Sequence, residues 1–174
     1  MKTLIKLFFV AVLVIGCMGI ANAQNTKKDK EAAKAAKIAS IIDARNYVFV
    51  ANYAIPQRGG AKSLTYGYDV IVSKDTIISY LPYYGRAYTA QIGQTDGGIK
   101  FTSTNFTYDA KQSKKGGYDI VITPKEMNSS EAIKDVRYMR LSVSSNGYAT
   151  LQVTANNRDP ITFNGNIEER KTKK

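Results

Sequence analysis

No histidine and no tryptophan occur in this chain, and its single cysteine is Cys17. Without imidazole, Ser-His-Asp and Cys-His catalysis and histidine-based metal sites are excluded. Cys17 lies in a leader expected to be cut away, so the mature protein has neither a thiol nucleophile nor a thiolate ligand. Disulfides are then impossible, and stability must come from packing and backbone pairing. No metal site and no cofactor are expected. Negative charge is also scarce: 14 Asp and Glu stand against 25 Lys and Arg, for a net charge of +11.

The chain opens MKTLIKLFFVAVLVIGCMGIANAQ. Lys2 and Lys6 make a positive region, Leu7 to Ile15 an apolar stretch, and Ala21-Asn22-Ala23 the small residues of a signal-peptidase site. Charge and polarity resume soon after Ile20, which marks a secretory signal and not a transmembrane span. Cleavage is expected after Ala23. Val14-Ile15-Gly16-Cys17 also resembles a lipobox, in which Cys17 would be acylated; the apolar Met18-Gly19-Ile20 favour the Ala23 site. The expected address is the periplasm or the exterior, with a lipid anchor through Cys17 as the alternative.

The mature chain of about 150 residues suffices for one compact domain. Losing Lys2 and Lys6 lowers the net charge from +11 to +9. The excess sits in Lys27-Lys28-Asp29-Lys30, Lys114-Lys115 and Arg170-Lys171-Thr172-Lys173-Lys174. Such runs read as solvated tails, and without a recognition motif no nucleic-acid partner is expected.

Residues 1–23 thus read as signal peptide, 24–45 as linker and helix, 46–168 as a β domain, and 169–174 as a basic tail. From Lys30 to Arg45 the residues are strong helix formers, with Ala35, Ile38, Ile42 and Arg45 on one stripe and Ile41 beside it. That apolar face is narrow, so the helix is expected to lie on a sheet. Beyond Asn46 the period becomes two. Tyr47, Phe49, Ala51, Tyr53 and Ile55 alternate until Pro56; Leu64, Tyr66, Tyr68, Val70 and Val72 share the next face. Lys74-Asp75 reads as a tight turn. Later strands are expected at 76–81, 99–102, 105–112, 118–123, 136–144, 148–155 and 161–167. Asn146-Gly147 between two of them is the strongest hairpin signal, expected to form a type I′ turn with both residues at positive φ.

About eight or nine short strands without a second helix predict an antiparallel sheet. Accumulated twist and the hazard of open edges favour one strongly curved sheet or partly closed barrel, with a two-sheet sandwich as the alternative.

The stretch Leu81-Pro82-Tyr83-Tyr84-Gly85-Arg86-Ala87-Tyr88 concentrates aromatic, cationic and turn residues. Pro82 cannot donate to a ladder and must end or bulge the strand, and Gly85 suits a bend. One reading is a sheet corner held by aromatic packing. The other is a platform in which Tyr83, Tyr84, Arg86 and Tyr88 grip a ligand. Asp69, Asp109 and Asp119, the strand-embedded carboxylates, are expected to face solvent, against a two-carboxylate hydrolase.

This octapeptide, with Asn146-Gly147-Tyr148-Ala149-Thr150-Leu151-Gln152-Val153, Asn157-Arg158, Gly165 and Ile167, resembles the domain of unknown function 4251 family over roughly 38–167. The resemblance implies a small, β-rich secreted or envelope protein of Gram-negative bacteria, with no established activity and no catalytic residues to carry over. The function expected is a non-enzymatic binding module with a Tyr/Arg-rich sheet face, taking a small molecule, a glycan or an envelope protein. A structural or protein-interaction role in the envelope is the first alternative, and a carboxylate-only hydrolase the second.

Overall fold

The computed structural model describes residues 28–65, 67–88, 97–113, 116–125 and 135–170. The leader with Ala23 and Cys17, and Lys27, Tyr66, Asp96, Lys114-Lys115 and residues 171–174, lie outside them. Helix α1 spans 28–43. The strands that follow are β1 (Tyr47–Pro56), β2 (Lys62–Ser63), β3 (Asp69–Val72), β4 (Ile77–Leu81) and β5 (Ile99–Ser103). Then come β6 (Phe106–Gln112), β7 (Tyr118–Pro124), β8 (Val136–Val143), β9 (Tyr148–Ala155) and β10 (Ile161–Glu169).

Nine strands form one continuous antiparallel path, β5-β4-β3-β1-β10-β9-β8-β7-β6, with β2 paired to β1 beside it. The sandwich alternative therefore fails. Along an antiparallel path of nine, the outermost strands β5 and β6 point the same way. Yet Thr104 and Asn105 alone join them, too little chain for a reversal. The chain instead runs on, pairing with β4 along Ile99–Ser103 and with β7 along Phe106–Gln112. The Lys125 N–H donates to the Asn105 carbonyl at 2.8 Å, carrying the second pairing to the bend. One bent strand thus serves both edges and nearly closes the sheet into a barrel. Closure hides most of the edge that an open sheet would expose.

Inward positions alternate as expected and fill the interior. Tyr47, Phe49, Ile77, Met139, Leu151 and Phe163 are among the largest fully buried side chains of a single core cluster. Removing one such side chain from water is worth about 1.5–3 kcal/mol, so this core is the main support of a disulfide-free chain. Interior Tyr47 keeps a polar partner: its hydroxyl lies 3.2 Å from that of Tyr108 on β6. Burial, and then Tyr108, push the Tyr47 pKa well above its ordinary value.

Helix α1 lies against the lower end of the barrel through Ile38, Ile41 and Ile42. It stops in a Schellman motif: Asn46 N–H donates to the Ile41 carbonyl at 3.1 Å and Arg45 N–H to Ile42 at 3.0 Å. Arg45 takes the left-handed position, φ 49°, usually given to glycine, and its guanidinium sits 4.6 Å from the Tyr108 ring centroid. The rest of the stripe packs as expected, while Arg45 turns to the ring. β10 continues through Glu169, and Arg170 donates to the Ser73 hydroxyl at 2.6 Å, so the basic tail begins later than expected.

Two local expectations are corrected. A bulge between Ala51 and Tyr53 puts β1 out of phase, so Tyr53 and Ile55 face solvent while Ala54 and Pro56 are buried. The β8–β9 connection is not a type I′ turn, since Asn146 has no positive φ. Gly147 N–H donates to the Ser144 carbonyl at 2.9 Å, and Gly147 alone is left-handed, φ 85°. That is a three-residue loop ending in a glycine bulge. Gly116, between β6 and β7, is likewise left-handed, φ 77°, and its N–H donates to the Ser113 carbonyl at 3.0 Å.

Candidate functional site

The LPYYGRAY stretch leaves β4 at the upper end of the barrel. Leu81 and Pro82 are buried, and the ladder stops at the residue that has no N–H. Past it the chain is clasped to the β9–β10 turn. Tyr88 N–H donates to the Asn157 carbonyl at 2.8 Å, Asp159 N–H to the Arg86 carbonyl at 3.0 Å, and Ala87 bridges Arg158. The Tyr83 hydroxyl lies 3.0 Å from both the Arg86 and the Asp159 carbonyl oxygens, so one proton is shared between them. Burial, reinforced by the Asp159 charge, pushes the Tyr83 pKa up to about 12. The Tyr88 hydroxyl donates to the Asp159 carboxylate, the chief reason its own pKa is raised.

Tyr83 and Tyr88 therefore direct their hydroxyls into the clasp. Tyr84 is half-buried with the Lys62 ammonium 5.3 Å from its ring centroid, and the exposed Arg86 guanidinium stands 5.8 Å from that of Tyr88. Gly85 lies outside the left-handed region. What restricts it is space, because a Cβ there would sit 2.5 Å from the Tyr83 hydroxyl.

Below the clasp, Arg158 Nε meets the Asp135 carboxylate at 2.8 Å, with both side chains 5% exposed. Asp135 also accepts the Asn157 N–H at 2.9 Å, and Arg158 donates to the Gly97 carbonyl. The Arg158 guanidinium lies 5.1 Å from the Tyr83 ring centroid. These bonds tie the starts of β5 and β8 to the β9–β10 turn. The enclosed space among Tyr83, Asp135, Arg158 and Asp159 measures about 10 Å³. That is at the lower limit for one water, so these buried aspartates face no room for a substrate.

The aspartates singled out from sequence do not converge. Asp109 and Asp119 are exposed on β6 and β7, and Asp109 pairs with Lys111 at 3.4 Å. Asp69, on distant β3, is half-buried, and burial raises its pKa. No arrangement of acid facing base arises among them.

The concavity missed by sequence reasoning lies on the outer wall. Four adjacent strands, β1, β10, β9 and β8, form an open trough of about 790 Å³. One rung runs Tyr53, Asn164, Thr150, Ser142, and the next pairs Asn166 with Tyr148. Asn164 and Asn166 lie low between the strands, while Tyr53 and Tyr148 stand 51% and 65% exposed. Thr150 Oγ1 lies 3.1 Å from Asn164 Oδ1, which orders the floor. Among the described residues, no Lys, Arg, Asp or Glu lines the trough. It exists because of the β1 bulge. The bulge turns Tyr53 outward, and β1 can press there because Gly165 has no side chain: a Cβ would lie 1.9 Å from the Val50 carbonyl oxygen. The signal was present in Asn164 and Asn166 and in Tyr148 and Thr150, outward positions without charge in a basic chain.

Comparison with known proteins agrees with the fold. The family model described as "Domain of unknown function (DUF4251)" matches residues 29–167. No curated protein matches the chain. A crystal structure of a DUF4251 family protein from Bacteroides eggerthii DSM 20697 is similar, with a TM-score of 0.60 and 16% identity. The match covers 80% of this chain and 91% of that one. At that identity the likeness concerns the fold. The family model spans most of the sequence and the likeness in fold agrees with it: the chain belongs to the DUF4251 family.

Proposed function

We propose that the protein is an exported, non-enzymatic binding module whose site is the outer-wall trough between Tyr53 and Tyr148. One observation carries this reading: a 790 Å³ depression, lined by hydrogen-bonding side chains and rimmed by two exposed rings, on a wall whose interior is filled. Concave surfaces with a few convergent polar groups and aromatic faces are where proteins hold small ligands. The non-enzymatic part is supported by the lack of histidine, the placement of the only cysteine at Cys17 and the scatter of Asp69, Asp109 and Asp119 over three strands. The export part rests on the leader, with periplasmic or secreted release after Ala23 as the route and lipidation of Cys17 as the alternative. Mass measurement of the mature N-terminus separates them: an acylated Cys17 removes the soluble route.

Native mass spectrometry of protein purified from its own cells tests the site. A retained adduct carried by the natural chain and lost from a Tyr53→Ala/Tyr148→Ala variant is the expected result. An adduct held equally by both would overturn the assignment of the trough.

A further inference from the structure

We infer that the trough takes a neutral oligosaccharide, an inference that rests on the reading of this trough as the binding site. Charge is the first reason. The chain has 25 Lys and Arg and 14 Asp and Glu, yet none of them lines the trough among the described residues. Among the described residues lining it, an anionic ligand would find no counter-charge, although the positive net charge of the chain would draw it to the molecule generally.

Donor and acceptor chemistry is the second. Asn52, Asn164 and Asn166 carry amides, and Ser142 and Thr150 carry hydroxyls. Each of these side chains both donates and accepts, as each sugar hydroxyl does. Tyr53 and Tyr148 add ring faces against which the C–H face of a pyranose can lie, and hydroxyls at their tips.

Dimensions narrow the class further. Tyr53 and Tyr148 are two strands apart and two residues apart along them. With strand spacing near 4.8 Å and rise near 3.4 Å, their attachment points are about 12 Å apart. A single sugar ring does not reach from one to the other; a short oligosaccharide does. An extended peptide fits less well, because it binds sheets by pairing with a free edge. All four strands of this wall are paired on both sides.

The test is calorimetric titration of the mature protein with neutral gluco-, xylo- and manno-oligosaccharides, with oligogalacturonate, and with an uncharged peptide mixture. Binding of a neutral oligosaccharide is expected, strengthening from monosaccharide to tetrasaccharide and persisting in 0.5 M salt, which screens charges beyond a few ångströms. Tyr53→Ala and Tyr148→Ala should each weaken it about three- to tenfold, the scale of one aromatic face. Tyr→Phe at either position should retain most of it. Thermal melts of the alanine variants should match the natural chain, which keeps a loss of binding interpretable. Binding of oligogalacturonate alone, fading with salt, would overturn the inference, as would binding of peptide alone or of no sugar. Peptide binding abolished by the two alanines would leave the trough as the site and remove only the sugar. Any ligand bound equally by natural and doubly substituted protein would remove both.

Discussion

Gly165 and Gly85 are constrained by neighbours and not by backbone angle. At Gly165 the obstacle is the Val50 backbone, 1.9 Å from a would-be Cβ, which cannot move without unpicking the β1–β10 pairing. Gly165→Ala should cost about 1–3 kcal/mol, the usual toll of overpacking, read as a lower denaturant midpoint. At Gly85 the obstacle is the Tyr83 ring, and a side chain there has to unseat the hydroxyl that holds two carbonyls. Gly85→Ala and Tyr83→Ala should therefore be non-additive: in the Tyr83→Ala background the glycine change should cost almost nothing. Additive losses would show that Gly85 is restricted by something other than the ring. The octapeptide was legible as a bend because Pro82 announces a strand end. The role of Gly85 was not, because whether a glycine serves an angle or a gap depends on a ring that tertiary folding brings over it.

At the scale of elements, the upper clasp joins the segment after β4, the β9–β10 turn and the starts of β5 and β8. At its base lies a buried ion pair. Replacing Arg158 by leucine leaves the Asp135 carboxylate in a 5%-exposed site without its cation, and should cost about 3–5 kcal/mol by chemical denaturation. The clasp should also loosen in alkali. Neutral Tyr83 is favoured by the fold, with its pKa moved from 10.0 to about 12. The stabilisation is therefore complete below pH 10 and is lost as pH climbs from 10 toward 12. Tyrosinate absorbance and circular dichroism followed together should show loss of structure in that window; a fold unchanged at pH 12 would contradict the assignment. Asn157-Arg158 stood out in the sequence as part of a resemblance, but pairing with Asp135 was invisible there, since local pattern carries no sign of which distant residue a turn will meet. Strand positions were legible because period-two alternation survives in nearly every strand. The exceptions, β1 and β8, each slip phase at a bulge, and the slip in β1 is what puts Tyr53 on the outer wall.

For the whole molecule, a curled sheet was foreseeable from strand number and twist, whereas its closure was not. Closure depends on the two-residue link 104–105 bending the chain without reversing it, which lets one bent strand pair with β4 and then β7. The interior is filled, with the clasp and α1 at the two ends, and the outer wall is the surface proposed for recognition. Replacing Tyr53 and Tyr148 should leave global stability within about 0.5 kcal/mol, as for exposed positions free of structural duty. The proposed division between a supporting octapeptide and a recognising trough is most directly tested by an amide chemical-shift map of the mature protein titrated with a neutral tetrasaccharide. Shifts gathered at Asn52, Tyr53, Tyr148, Thr150, Asn164 and Asn166, with residues 82–88 unmoved, are the predicted result. Shifts centred on Tyr83, Tyr84, Arg86 and Tyr88, with the outer wall silent, would contradict it.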